Sequence, residues 1–518
     1  MLNYWWVTRP KRKLNSIPEV LSAFIGLTLN QEWEGQRESH LAYEEALEAA
    51  GLKRIGDRRD QTGGGARTYK AWLKSLGLIF TQENSGTIQL TLAGEAIMNG
   101  ESPVAVLSNQ IFKYQFPSAF SISRGVDVSP RFKIRPFRFL LKLLLDKRIG
   151  YLTEEEIAKI VVTEAENETE KCYEYIVKRL LQFRSSGDKC LSEDFFQKYK
   201  PSKGLINLQD PYRYLMDLAN TIVNWLEYTQ LIERGSGQLL ILLGLTEDAE
   251  EILTHNPPFI DRPEQEEYFQ RKYGVDPKHI KDSRNLNNTK TVTAKTLAVQ
   301  KVQQAYLAES LKRLITRIDG ALISSISEQT GVKESLVEEV LMEKYPHGSP
   351  SSFMTNYFEM AFKGREEASE FEQSTVELFQ DIFGYKTKHV GPIGLSPDVL
   401  LISEEYSYQA ILDNKAYSHY SVTNDHHNRM VENYIKNSSH YSSCGYPIAF
   451  FSYIAGGFSS NIDAQIKSIA HAGGVNGSCI TVSNIIRMVE NSETRPYTHE
   501  DLRHIFGLNR QVLVSDLQ

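Results

Sequence analysis

At 518 residues the chain is longer than one hydrophobic core can organise, and its 41% hydrophobic and 24% charged residues point to folded domains, roughly two to four of them, rather than to disorder. A net charge of −7 gives no overall attraction to a polyanion, so a nucleic-acid surface would have to come from local clustering. Four scattered cysteines (Cys172, Cys190, Cys444, Cys479) without CxxC spacing argue against a thiolate zinc site or a disulfide framework.

The N-terminal stretch MLNYWWVTRPKRKLN places aromatic residues before its basic cluster and has no apolar run of signal-peptide or membrane-spanning length. A cytoplasmic protein with no membrane partner is expected. Between Lys53 and Lys74 seven basic residues (Lys53, Arg54, Arg58, Arg59, Arg67, Lys70, Lys74) face only Asp57 and Asp60, and a second basic stretch runs from Arg131 to Arg148. Charge runs are commonly solvated surface. The first one, however, leads into a segment that repeats. From Trp72 the sequence reads WLKSLGLIF, a turn, then IQLTLAGEAI; from Trp225 it reads WLEYTQLIERGSGQLLILLGLTEDAEEI. Each predicts a helix, two short strands about a glycine turn, and a second helix opened by a threonine N-cap, Thr91 or Thr246. Helix, two-stranded wing and closing helix describe a winged-helix unit, a variant of the helix-turn-helix that can place one helix in the major groove. Such units also serve as protein-interaction modules, and the adjacent basic stretch favours DNA, with Lys53, Arg54, Arg58, Arg59, Arg67 and Lys70 as candidate contacts.

Between the two repeats, PFRFLLKLLLDKRIGYLTEEEIAKIVV predicts an apolar helix, a glycine turn and a threonine-capped helix. From Asn256 to about Lys290 prolines interrupt a polar stretch that reads as a connector, and ISSISEQTGVKESLVEEVLMEKY gives a helix pair about Gly331 before a boundary at YPHGSPSS. The expected domains are therefore 1–150 with the first winged helix, 151–260 with the second, a helical connector at 261–350, and 351–518. Three strings are decoys. NPPF at Asn256 looks like a methyltransferase tetrapeptide but has no cofactor loop before it; TGGGA at Thr62 lacks the Lys-Ser/Thr of a phosphate loop and reads as a flexible turn; and His426 and His427, adjacent on a helix, point apart by about 100° and are expected to be solvated or near DNA.

Past residue 350 the pattern changes to a long helix, Arg365 to Phe383, followed by alternating strands, an α/β arrangement. The chemistry is carried by SPDVLLISEEYSYQAILDNKAYS. Asp398 opens the strand VLLI, Asp413 ends the strand AIL, and Lys415 lies two positions on. Residues two apart in a strand face the same way, and a hairpin turning at EEYSY brings all three together. Two carboxylates, with the Asn414 main-chain carbonyl as a further oxygen, suit Mg²⁺. Such an ion acidifies water and neutralises charge on a phosphate, while the Lys415 ammonium holds or deprotonates the attacking water. Phosphodiester hydrolysis is the expected reaction. The motif alone arises often by chance; otherwise Asp413 and Lys415 would be an ordinary surface pair.

The blocks FEQSTVELFQDIFGYKTKHVGPIGLSPD, ILDNKAYS, DHHNRMVENY, GGFSSNIDAQI and the NGS turn at Asn476 stand in order over residues 365–490, and there the chain resembles the FokI family of type IIS cleavage domains. The resemblance implies a PD-(D/E)xK nuclease fold with a central mixed sheet, with Asp398, Asp413 and Lys415 at its motif positions. Glu372 and Glu377 match two helix glutamates, of which Glu377 would orient the site. Family members pair their cleavage domains through an Asp and an Arg four residues apart, here Asp425 and Arg429; by itself an i,i+4 pair adds only about 0.2–0.5 kcal/mol to a helix. A transient homodimer, each Asp425 meeting Arg429 of the other copy, is implied, although the loop 419–424 is shorter than in the family. KIRPFRFLLKLLLDKRIGYLTEEEIAKIV and the second winged-helix block resemble, more loosely, the AlwI-type enzymes. The expectation is a type IIS restriction endonuclease that binds an asymmetric double-stranded DNA site and cuts at a fixed distance with Mg²⁺. The alternatives are a strand-specific nicking enzyme or one subunit of a heterodimer, and a DNA-binding regulator with an inactive nuclease domain.

Overall fold

The computed structural model describes residues 2–54, 63–118, 128–201, 206–207, 209–235, 237–286, 294–364, 367–391 and 395–517. They divide into two units: Met1–Ala308 with Asp319–Tyr345, and Glu309–Ile318 with Pro346–Gln518.

In the first unit the helix Gly64–Ser75 buries Trp72 and Leu73 and is followed by an antiparallel hairpin of β1 (Ile79–Thr81) and β2 (Ile88–Leu90), with Ile79 opposite Leu90. Thr91 then caps the helix Leu92–Met98, its hydroxyl accepting from the Gly94 N–H at 3.1 Å. The second repeat folds along the same path: helix Arg213–Tyr228 with Trp225 buried, β4 (Ile232–Gly235), β5 (Gln238–Ile241) and helix Thr246–Thr254. It is more elaborate, because β3 (Leu152–Thr153) adds to β5 and gives the order β3-β5-β4. Thr246 is not its cap. That helix begins one residue early, with Leu245 at the N-cap position, so Thr246 lies in the first turn beside Glu247 and Asp248, whose charges suit the positive helix end.

The helix Pro136–Leu145 ends at Asp146, and the chain turns through Gly150 to Thr153, which forms a capping box with Glu156. Gly331, in the left-handed conformation, closes the helix Gly320–Thr330 ahead of Glu334–Lys344. The proline-rich segment after Asn256 packs more fully than its polarity suggests. Its helix Glu266–Tyr273 buries Phe269 and Tyr273, and Gln110 donates to the Tyr273 carbonyl at 3.0 Å. Two aromatic residues four apart give this short helix one apolar stripe, enough to dock it. NPPF is anchored into the fold as well, since Arg135 holds the Asn256 side chain and the Pro257 carbonyl, each at 2.8 Å. Among the described residues no helix is long and apolar enough to cross a membrane.

The second unit is built on a five-stranded mixed sheet in the order β10-β9-β8-β7-β6. β6 (Lys386–His389), β7 (Val399–Ser403) and β8 (Tyr408–Lys415) are antiparallel, whereas β9 (Ile448–Ala455) and β10 (Asn476–Thr481) run parallel to β8. Alternation along the strands sends Leu401, Ala410, Leu412, Phe450 and Ile454 to one face, where they pack with Phe371, Leu378, Ile485 and Leu502 of the covering helices. Ile411, Phe451, Tyr453 and Cys479 face the other way, against Met430, Val431, Ile466 and Ile469. Each large apolar side chain buried this way stabilises by about 1.5–3 kcal/mol. The long helix spans Ala368–Asp381; residues 365–366 lie outside the described residues, and Gly384 at φ +76° reverses the chain so that the Tyr385 N–H bonds back to Phe379.

Candidate active site and nucleic-acid surface

The β7–β8 hairpin pairs Val399 with Leu412 and Ser403 with Tyr408, so Asp398, immediately before β7, lies at the level of Asp413. β8 does not stop at Asp413 but continues through Lys415 in the interior of the sheet. Asp413 and Lys415 therefore share the face of Ile411, and the Lys415 ammonium pairs with Asp413 Oδ2 at 2.6 Å. Asp398 is clamped at both ends. Its carbonyl accepts from the N–H groups of Val390 (2.9 Å) and Gly391 (3.3 Å), and its Oδ2 accepts from the Asn414 N–H at 2.7 Å. The Asn414 side chain turns to the opposite face and donates to Thr375 Oγ1 at 2.7 Å, tying β8 to the helix Ala368–Asp381.

Burial and then the neighbouring Asp413 hold the Asp398 carboxyl well above its ordinary range, and Lys415 and the Asn414 N–H only partly oppose them. Burial alone would lower the Lys415 ammonium, but Asp413 and Asp398 outweigh it and its pKa is raised. Two acids and one base thus share a nearly closed site. Among the described residues no group of three His, Cys, Asp or Glu side chains is placed to hold a metal.

Of the two helix glutamates, Glu372 is the one whose charge reaches Asp398 and Lys415; it also bonds His389 Nε2 at 2.8 Å. A side chain at Gly391 would meet that carboxylate at 2.8 Å, so the bare backbone is what admits it. The Glu377 side chain, half-buried on the same helix, has no hydrogen bond or ion pair among the described residues. Asp425 and Arg429 pair within the chain at 2.9 Å on an exposed turn. The two adjacent histidines diverge: His427 Nε2 lies 3.3 Å from Ser468 Oγ, while His426, half-buried, bonds Tyr420 at 2.8 Å. Tyr420 and His426, beside Asp413 and Lys415, carry no spacing signal that would have marked them in the sequence.

The basic stretch of the first unit is largely committed internally. Lys53 pairs with Glu44 (2.7 Å) and Glu48 (3.0 Å), Lys70 with Glu34 (2.8 Å) and Lys74 with Glu266 (2.6 Å). Arg67 is half-buried and Arg54 exposed; Arg58 and Arg59 lie outside the described residues. Gly64 and Gly65 of the TGGGA string form the first turn of a helix, and a side chain at Gly65 would strike the Glu44 carboxylate at 2.7 Å. The second basic stretch is equally occupied. Arg131 pairs with Glu166, Arg148 with Asp146 and Glu174, and Arg138 caps the end of the helix Thr246–Thr254 through the Ile252, Leu253 and His255 carbonyls.

Two family models match the chain: the FokI cleavage domain over residues 331–513 and the AlwI restriction endonuclease over residues 74–344, more than half of the sequence. No protein of curated function matches. Solved structures similar to the chain include the restriction endonuclease FokI (15% identity, covering 99% of this chain and 100% of that one, TM-score 0.28). FokI bound to DNA is similar at 14% identity, covering 99% of each chain, with a TM-score of 0.28. The BpuJ1 endonuclease binding domain in complex with pyrene- and phenanthrene-modified DNA is 15% identical, covering 52% of this chain and 95% of that one, with a TM-score of 0.35. At these TM-scores the family models carry the weight.

Proposed function

The chain belongs to the AlwI restriction endonuclease family and is a type IIS restriction endonuclease with a FokI-like cleavage domain, and from that premise we propose that it hydrolyses DNA at Asp398, Asp413 and Lys415 using Mg²⁺. The observation that carries the proposal is the charge deficit at the end of the β7–β8 hairpin, where two carboxylates share one ammonium within the stretch matched to the FokI cleavage domain.

That donor set fits the ion. Mg²⁺ is usually held by one or two carboxylates plus water; Asp398, Asp413 and the Asn414 carbonyl would hold it, in a PD-(D/E)xK arrangement. When bound, it supplies the positive charge that offsets charge gathering on the phosphate and lowers the pKa of water. The chain's own groups do the rest. The Asn414 N–H fixes one oxygen of Asp398, and the bonds from Val390 and Gly391 fix its main chain. Lys415, held by Asp413, donates an ammonium N–H that orients the attacking water, whose proton leaves to solvent. Asp413 and Asp398 keep Lys415 protonated, and Glu372, restrained by His389, adds to the same negative field.

Recognition falls to the first unit, whose two helix–hairpin–helix segments we read as winged helices that bind an asymmetric duplex site, the cut falling at a fixed distance outside it. One cutting centre per chain serves one strand at a time, so a double-strand break needs a second cleavage domain, recruited when Asp425 and Arg429 exchange partners across a two-fold axis. The pairing of Asp425 with Arg429 inside one chain favours a second reading: exchange gains no new ion pair, so pairing is weak and the enzyme is a nicker. Plasmid incubated with Mg²⁺ over a range of enzyme concentrations, with the ends sequenced, tests both. Linear product with ends at one offset from a common sequence is expected. Nicked circles alone at high concentration support the second reading, and intact plasmid overturns the cutting centre.

A further inference from the structure

The short helix Asn424–Asn428, which carries Asp425 and leads into Arg429, is anchored by Thr423, whose hydroxyl caps the His426 N–H at 3.2 Å. Toward the sheet it is linked by His426 Nδ1, 2.8 Å from the Tyr420 hydroxyl. The Tyr420 ring lies 5.4 Å from that of Tyr453, and the Tyr453 hydroxyl donates to the His426 carbonyl at 3.4 Å. Tyr453 is the register partner of Asp413 across β8 and β9, and the Lys415 ammonium sits 6.0 Å from its ring centroid. Burial, then Lys415, lowers the His426 pKa, and burial, then Asp413, raises that of Tyr420, so the Tyr420 hydroxyl keeps its proton and donates a hydrogen bond to the imidazole Nδ1. An unbroken run of contacts therefore joins the exposed Asp425–Arg429 turn to the reacting end of β8.

We propose that His426, through its hydrogen bond to Tyr420, is a positioning residue that sets Lys415 in register with the Asp425–Arg429 turn, so that pairing of two cleavage domains and alignment of the cutting centre are one event. The inference rests on the reading of Asp413 and Lys415 as that centre.

The test uses the full-length enzyme on a plasmid carrying one mapped site. Single-turnover cleavage is measured across enzyme concentrations, with affinity for the site duplex taken in Ca²⁺. Tyr420→Phe, which deletes one oxygen, and His426→Ala should each lower the plateau rate by about tenfold, the scale of one lost hydrogen bond. The concentration at half-maximal rate should rise in the same variants, because pairing and alignment are one event and coupling is reciprocal, while the duplex affinity and the melting temperature stay as in the parent. The double variant should be no slower than the slower single, because both remove the same bond. His426→Asn, whose amide oxygen can take the place of Nδ1, should recover most of the rate. Parent-like plateaus in both single variants, or rate losses that multiply in the double, overturn the proposal; if His426→Ala melts early, Tyr420→Phe alone decides. Asp413→Ala measured alongside separates the two readings: cleavage retained there overturns the cutting centre itself.

Discussion

Two concentrations of charge in the chain are arranged in opposite ways. Along residues 53–74 the described lysines each meet a carboxylate, and Lys53 spans Glu44 and Glu48 with Glu44 only 2% exposed. At the end of the β7–β8 hairpin two carboxylates share one ammonium, and Asp398 is pushed toward its protonated form. A buried charge with its partner in place is committed to the fold; a buried excess of one sign is a binding site awaiting the opposite charge. The richest basic run in the sequence is thus substantially architecture, whereas an inconspicuous D-N-K triplet carries the unbalanced buried charge and is where the proposed chemistry falls.

The largest effect should come from the site with the deficit. Asp413→Ala or Asp398→Asn should lower DNA cleavage by roughly a thousandfold or more while affinity for the site duplex is kept. Retained cleavage in either variant would erase the contrast. The same deficit has a pH signature. A carboxyl raised in the folded state binds a proton on folding at any pH between its ordinary 3.8 and its raised value, so stability falls as pH rises through that window. In EDTA the melting temperature of the second unit should therefore drop as pH rises above 3.8. Added Mg²⁺ should reverse the drop, releasing a proton and binding more tightly as pH increases. Calorimetry in two buffers of different ionisation heat reads the proton directly.

The paired region gives the opposite result. Lys53→Ala strands the Glu44 carboxylate in the interior and should destabilise the first unit by about 3 kcal/mol, read from denaturant unfolding. Unchanged stability with weakened DNA binding would instead make Lys53 a phosphate contact. Asp425 and Arg429 fall between these extremes: they are paired, but 64% and 44% exposed, so they can change partners at little cost. Arg429→Ala should slow second-strand cutting by roughly tenfold, with first-strand nicking little changed, which gel separation of nicked and linear plasmid resolves. Equal slowing of both strands would show that Arg429 serves its own domain.

What the sequence made legible follows the range of the interactions. The β7–β8 hairpin, the position of Lys415 two residues beyond Asp413, and the helix–hairpin–helix repeats are local, and alternation or glycine turns announce them. The charge environment is not local. The partners of Lys70 and Lys74 lie 36 and 192 residues away, so a sequence window shows a bare basic run where the fold holds ion pairs. Thr246 carries the composition of a cap without the geometry, because one residue of helix extension moves it into the first turn. Glu372 and Glu377 are equivalent as helix glutamates in the sequence; only the packing of the helix Ala368–Asp381 against β6 turns the first toward His389 and the site. His426 gains its environment from Tyr420 and Tyr453, the latter on a strand that pairs beside β8.

The finest test of the contrast lies within two adjacent residues. Arg54 follows Lys53 directly but is exposed, so the rule that separates committed from available charge assigns it to solvent or to DNA. Arg54→Ala should leave the unfolding midpoint unchanged, because no buried carboxylate among the described residues loses its partner. If Arg54 touches the backbone of the duplex, its loss should weaken binding several-fold across all sequences and flatten the slope of log affinity against log salt by about one unit. Both strands should then still be cut at the same offset, since phosphate contacts hold the protein on the duplex without reading it. A change in sequence preference would instead move Arg54 into a groove. An unchanged salt slope would make it plain surface, and DNA contact in this region would then fall to Arg67 and its neighbours on the helix Gly64–Ser75.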